Sequence, residues 1–302
     1  MPAGPDLIER SLCFGKGQKL VGTICLPTVP GIPEAAIGLV MFNAGVVHRI
    51  GPHRINVRLA RLLAANGIPT IRFDLAGQGD SARADGLQSF EAQAIDDIRS
   101  AMDVLGNAAN VSRFALFGFC SGSVHSYATA QADERVCGLL LYDMYIYPTV
   151  RSRLNRYANA VREKGFARTL RGWIPQQLSK LTAAISVSMG SGTRRASPRK
   201  YGMFTQPSKS VLADAFARLH ARGTSICVAY SGSFRDYNYR EQFNDAFRQF
   251  GIDQFVSSEY FENVDHTITL IGEQAAYMDF VLRWCAKIND ERQDQWPSDC
   301  VA

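Results

Sequence analysis

Five residues, Gly118-Phe119-Cys120-Ser121-Gly122, stand between an apolar β-type run, VSRFALFGF (111–119), and a helix-like stretch, SVHSYATAQA. A G-x-nucleophile-x-G turn holds its central residue in a strained conformation between strand and helix, which requires small flanking residues. Such a turn lifts the side chain clear of the sheet. It also sets the sulfur at a helix N-terminus, where peptide dipoles favour thiolate over thiol. Cys120 is therefore the candidate nucleophile, with the Ser121 backbone N–H facing any oxyanion formed on a substrate. Most free cysteines are buried structural residues, and Cys13, Cys25, Cys137, Cys227 and Cys285 are read that way.

A cysteine nucleophile needs a base, and the chain has five histidines. His266, in ENVDHTITL, follows the last strand-like run and precedes the final helix, a position from which an imidazole reaches the sheet edge. His125 and His220 read as helix packing and helix-end residues. His48 and His53 sit in the loop after NAG (43–45), and His48 is assigned to the substrate pocket with Gly45 and Phe119. The acid that would fix the imidazole tautomer is assigned to Asp236, in SFRDYNYREQF, thirty residues before His266. That choice gives the order nucleophile, acid, base. Asp143, ending LLLYD, is the alternative, and Asp265 is read as a turn cap. A second oxyanion donor is expected from the turn at Gly45, at the Val46 N–H. Asp74 and Ser81, in the glycine turn FDLAGQGDS, are read as structural.

The elements that position these residues alternate. LVGTICLP (20–27) reads as an early antiparallel strand. IGLVMFNAG (37–45), IPTIRFD (68–74), VSRFALFGF and VCGLLLYD (136–143) are apolar nearly throughout, as buried parallel strands are. SICVAYSG (225–232) and QFVSSEYFENV (254–264) follow, with amphipathic segments between. Strict alternation implies a doubly wound α/β sheet with its ligands at the carboxyl ends of the strands. It fails between Asp143 and about Leu212, so residues 144–212 read as a helical cap inserted between two parts of one core, 1–143 and 213–302. Within 151–210 there are thirteen Lys/Arg against one acid, a net +12 in a chain of net +5, so the remainder is −7. Such asymmetry suggests either an anion-facing module or a solvated basic surface. There is no signal-peptide pattern, no apolar run long enough to span a membrane and no metal-type cysteine spacing. A reduced, cytoplasmic chain without metal or cofactor is expected, and the basic segment has no nucleic-acid-binding module.

In chain order, NAGVVHRIGPHR, RFDLAGQGDS, GFCSGS, SGSFRDYNY and DHT resemble the α/β-hydrolase superfamily. They are nearest to small bacterial hydrolases associated with exosortase systems. The resemblance covers nearly the whole chain, including a cap with RYANAVREKGFARTLRGW. It implies the α/β-hydrolase fold, an eight-stranded mostly parallel sheet flanked by helices, and a Cys120–Asp236–His266 triad. Two positions depart from the pattern: Ala44-Gly45 replaces the usual His-Gly, and Ala76 replaces the usual Arg or Pro before Gly77. A cysteine forms an acyl thioester, which stays activated for transfer to a thiol, an amine or water. Thioester-linked acyl groups, on an acyl carrier protein or coenzyme A, are therefore the expected substrates. A carboxylic ester or lactone hydrolase of the dienelactone-hydrolase type is one alternative. A catalytically silent binding protein is the other.

Overall fold

Strands that are apolar on both faces are stable only inside a sheet covered on both sides, and the apolar runs of this chain occupy that position. The computed structural model describes residues 7–28, 37–86, 88–164, 200–201 and 204–293. Its strands are β1 (Leu7–Phe14), β2 (Leu20–Pro27), β3 (Gly38–Phe42), β4 (Thr70–Phe73), β5 (Phe114–Phe119), β6 (Val136–Tyr142), the two-residue pair β7 (Lys200–Tyr201) and β8 (Phe204–Thr205), β9 (Ser225–Ser231) and β10 (Val256–Phe261). The helices used below are α1 (Ile55–Ala65), α2 (Phe90–Ala109), α3 (Ser121–Ala132), α4 (Val150–Lys164), α5 (Lys209–Ala221), α6 (Gln242–Phe247) and α7 (Ile271–Gln293).

Eight strands form one sheet in the order β1-β2-β4-β3-β5-β6-β9-β10. Only β2 runs against its neighbours; β4 through β10 along that order pair in parallel. One face packs on α2, α3 and α5 through residues such as Ile98, Val124, Tyr127 and Phe216. The other packs on α1 and α7 through Leu59, Leu63, Tyr277 and Val281. The α3 helix is buried along almost its whole length, which explains its lack of an amphipathic stripe.

β1 was not among the expected strands. It is an edge strand paired along its length with β2, and it exposes Glu9, Arg10 and Ser11. Half-exposed polar composition masks a strand whose partner supplies the order. Cys13 lies exposed on this edge, unlike the buried Cys25, Cys137, Cys227 and Cys285, so its reading as a buried residue is corrected.

The inserted segment is described at its two ends. SRLNRYANAVREK lies in α4, as expected, and the N-terminal end of α4 is tied to the loop after β9. Asn238 Nδ2 donates to the Ser152 carbonyl (2.8 Å), Thr149 and Tyr239 share a hydroxyl bond (2.7 Å), and the Arg151 guanidinium stacks 4.2 Å over the Tyr239 ring. The rest of RYANAVREKGFARTLRGW and most of MGSGTRRASPRKYGMFTQPSKS lie outside the described residues.

Register brings the chemistry together. Phe119 on β5 pairs with Tyr142 on β6, and Tyr142 with Ala229 on β9. Cys120 and Asp143 are thus the first residues beyond two adjacent strands, and each keeps one more ladder bond: Cys120 N to Tyr142 O and Asp143 N to Ala229 O, both 2.8 Å. The corner after β5 tolerates no side chain at Gly118, where a Cβ would stand 2.4 Å from the Ser123 Cα and 2.7 Å from the Gly122 carbonyl. Gly118→Ala is expected to cost at least about 1–3 kcal/mol, read as a lower urea midpoint at unchanged m-value.

Candidate active site

Cys120 has φ 54° and ψ −119°, a region that a residue with a Cβ occupies only under local constraint. The constraint is visible: Ser123 Oγ donates to the carbonyls of Gly118 (2.7 Å) and Tyr142 (3.0 Å), and Ser123 N donates to Cys120 O (3.0 Å). These bonds pin both sides of the corner and leave the sulfur partly open at the start of α3. Cys25 and Cys227, by contrast, are buried, and burial pushes their thiols up to about 11 and about 12.

His266 lies in the loop between β10 and α7. Its backbone N–H is held by Ser233 Oγ (2.6 Å), and its ring rests against Phe119 (5.4 Å between centroids) and Phe234 (5.5 Å). Nδ1 meets Asp143 Oδ2 at 2.7 Å, and the ring lines the same cavity as Cys120. Asp143 has no exposed surface and accepts two further bonds, from Ser231 N and Ser231 Oγ, both 2.7 Å. Burial alone would lower the imidazole pKa. The hydrogen bonds and charges of Asp143 and Cys120 reverse that and hold it up to about 10.

The acid that meets His266 is therefore Asp143 and not Asp236. The chain after β9 turns at once to run beside the histidine loop, with Gly232 N on Val264 O (2.9 Å) and Ser233 on His266. Five residues past the strand, Asp236 has been carried toward α4, where its half-exposed carboxylate pairs with Arg156 at 2.5 Å. Asp265 caps its own turn, accepting from Thr267 N (2.7 Å) and Thr269 N (3.1 Å). Burial would raise its carboxyl, and these bonds hold it down at about 2.

The loop after β3 is fastened to the glycine turn after β4. Asp74, fully buried, accepts from Asn43 Nδ2 (2.8 Å), Arg49 N (2.7 Å) and Arg49 Nη1 (2.5 Å), while Asn43 Oδ1 accepts from Leu75 N (2.6 Å). Ser81 Oγ donates to Asp74 O (2.6 Å), in keeping with the structural reading of both residues. This lattice fixes Gly45 and Val46 at the mouth of the site. The Gly45 N–H is taken by Ser121 Oγ at 2.6 Å, and Val46 projects outward, 92% exposed.

These groups open on a cavity of about 640 Å³ that Cys120, Ser121, Gly45, Val46 and His266 help to line. Its walls are mainly apolar, built by Leu75, Phe90, Phe204 and Phe234, as in small-molecule sites generally. Two expected pocket residues are not in the lining. His48 is drawn to the Asp80 carboxylate (3.2 Å) and Arg49 (2.7 Å) and serves the loop lattice. Phe119 is buried, stacked on Tyr142 at 4.7 Å, and supports His266 from below. His48, Asp74 and Asp80 approach metal-binding distances, but the Arg49 guanidinium stands among them, bonded to both carboxylates. A cation there would meet a fixed positive charge.

No protein-family model matches the chain, and no curated protein sequence matches it. Solved structures do. An α/β serine hydrolase without a lid from Xanthomonas campestris superposes with a TM-score of 0.50 at 15% identity, covering 92% of this chain and 95% of its own. A protein described as a dienelactone hydrolase from Klebsiella pneumoniae subsp. pneumoniae gives 0.54 at 13%, covering 93% and 99%. A protein of unknown function from Agrobacterium tumefaciens, described as an α/β hydrolase, gives 0.53 at 12%, covering 93% and 95%. The chain has the α/β-hydrolase fold. Within the α/β-hydrolase fold the eight-stranded, mostly parallel sheet and the corner after β5 are as the motifs implied, and the acid beside the histidine follows β6.

Sequence reasoning did not single out Ser231, Ser233, Phe90, Phe204 or Phe234 for the site. Ser231 and Ser233 flank the glycine that follows β9, and that S-G-S pattern is a local signal. The phenylalanines come from distant segments and carry no signal of their own. Among the described cysteines, iodoacetamide is expected to modify Cys120 and Cys13 in the native protein and the four buried thiols only in denaturant. Peptide mass mapping reads this directly. His266→Ala is expected to slow alkylation of Cys120 at about pH 6 by at least ~10-fold. The raised imidazole pKa contributes stability that is fully present below 6.5 and is lost as pH rises through about 10. Wild type is accordingly expected to lose stability over that window more steeply than His266→Ala in urea titrations.

Proposed function

We propose that Cys120, His266 and Asp143 act as nucleophile, base and acid in acyl transfer or hydrolysis through a thioester on Cys120. One arrangement carries this reading: the buried Asp143 carboxylate meets His266 Nδ1 at 2.7 Å, and the imidazole lines the same cavity as a sulfur at a strained strand-to-helix corner. In the proposed cycle the thiolate attacks the acyl carbon while Asp143 fixes the imidazole tautomer and balances the imidazolium. The oxyanion is received by the N–H groups of Ser121 and Val46. His266 protonates the leaving group and then activates water or another acceptor.

Acyl thioesters are the favoured substrates, because attacking and leaving groups are then both thiolates of similar energy. The exposed Arg151, Arg153 and Arg162 of α4 add a basic surface beside the loop that walls the cavity. Such a surface suits an anionic acyl carrier protein or coenzyme A. We read residues 144–212 as a cap over this end of the sheet, in which Phe204 reaches the cavity wall. The motif resemblance to exosortase-associated hydrolases supports the same setting. A carboxylic ester or lactone is the second reading, favoured by the apolar walls of the cavity and by the name of the Klebsiella neighbour.

Incubation with acyl-coenzyme A and acyl-carrier donors is expected to add one acyl mass to wild type and none to Cys120→Ala. Turnover of esters and lactones with no thioester adduct would favour the second reading. Ligand binding with no adduct on any donor would leave a silent binder. Asp143→Asn is expected to lower kcat/KM by ~10³–10⁴-fold. Asp236→Asn, which removes only a half-exposed ion pair, is expected to change it less than about twofold. The reverse order of effects would remove Asp143 from the triad.

A further inference from the structure

His125 lies one and a half turns into α3, in the wall of the cavity. Only 2% of its surface is exposed, and its Nδ1 finds no hydrogen-bond partner among the described residues. Two aromatic edges clamp the ring: Phe90 from α2 and Phe204 from β8, each with centroids 5.2 Å away and planes near perpendicular. Nδ1 is closed off from the cavity by its surroundings, whereas Nε2 is neither enclosed nor hydrogen-bonded among the described residues, and a polar atom in an apolar wall is costly unless something in the cavity satisfies it. A packing role would be served as well by phenylalanine or leucine.

We propose that His125 determines specificity by hydrogen-bonding a hydroxyl on the distal part of the acyl chain held in this cavity. The acyl identity of the ligand rests on the function proposed above; the pairing of a hydroxyl with His125 does not. Burial pushes the imidazole down to about 4, so the ring is neutral at ordinary pH and a buried carboxylate would gain no counter-charge from it. A neutral imidazole offers one donor and one acceptor nitrogen. A hydroxyl both donates and accepts, so it meets either tautomer. Five residues of helix separate Cys120 from His125, on the order of 7.5 Å of rise. A chain of roughly six carbons spans that distance. The apolar residues around it select the methylenes, and His125 selects the group at their end.

The test compares hexanoyl and ω-hydroxyhexanoyl groups, presented as pantetheine thioesters and as nitrophenyl esters, on wild type, His125→Leu, His125→Phe and His125→Gln. Wild type is expected to favour the hydroxylated chain at least ~10-fold in kcat/KM, because a site built to hydrogen-bond a group rejects the analogue that lacks it. His125→Leu and His125→Phe are expected to bring the ratio to within about twofold of unity, and His125→Gln to retain part of it. Two apolar variants guard against one that fails to fold. In parallel, calorimetry measures binding of hexanamide and ω-hydroxyhexanamide to Cys120→Ala and to Cys120→Ala combined with His125→Leu. If no donor acylates Cys120, the proposed function fails and the amide preference alone judges His125. Equal handling of the two chains by proteins that retain His125, or a preference that survives His125→Leu, overturns the proposal.

Discussion

A carboxylate with no exposed surface is tolerated only when its charge is met at close range. Asp143 meets it with the backbone and hydroxyl of Ser231 and with the ring of His266. Removing one partner of such a buried pair costs about 3–5 kcal/mol, so the same bond that raises the imidazole pKa also secures the β10–α7 loop against the sheet. Everything else in the site is measured from that point. The ring is set by Asp143, Phe119 and Phe234, and the sulfur is set by the corner at Cys120. The loop after β3 is set by Asp74.

The sequence showed some of this plainly and some of it not at all. The strands β2 to β6 were legible because continuous apolar runs have one physical use, burial between two helical layers. The corner at Cys120 was legible because glycines flank it on both sides: Gly118 leaves no room for a Cβ, and a Cβ at Gly122 would press to 3.0 Å from the Asn43 carbonyl. His266 was legible from chain order. The choice between Asp143 and Asp236 was not, since both follow strands that end at the same edge. It turns on where the chain goes after β9, and the bonds of Gly232 and Ser233 to the histidine loop decide that. His48 and Phe119 were misplaced for a related reason. Proximity in sequence to Gly45 and Cys120 says nothing of which way a side chain points, and both turn to neighbours that hold the site from behind.

The histidines illustrate how one side-chain type is set to different tasks by surroundings. His266 is half open, flanked by a carboxylate and a sulfur, and is held protonated. His125 is enclosed by two aromatic edges and is held neutral. His220 stacks on Phe255 at 4.3 Å and belongs to packing. Composition counts these alike, and only their neighbours separate them.

Placing the carboxylate after β6 has a consequence for the segment after β9. That segment meets the imidazole ring with no carboxylate and only anchors its surroundings, through Ser231 on Asp143 and Ser233 on the His266 backbone. It furnishes a wall, through Phe234, and a latch, through Asp236, Asn238 and Tyr239 on α4. Outside the buried Tyr237 and Tyr239, changes in residues 234–240 retune what the basin admits and how tightly α4 is tethered, while the Asp143–His266 contact stays untouched.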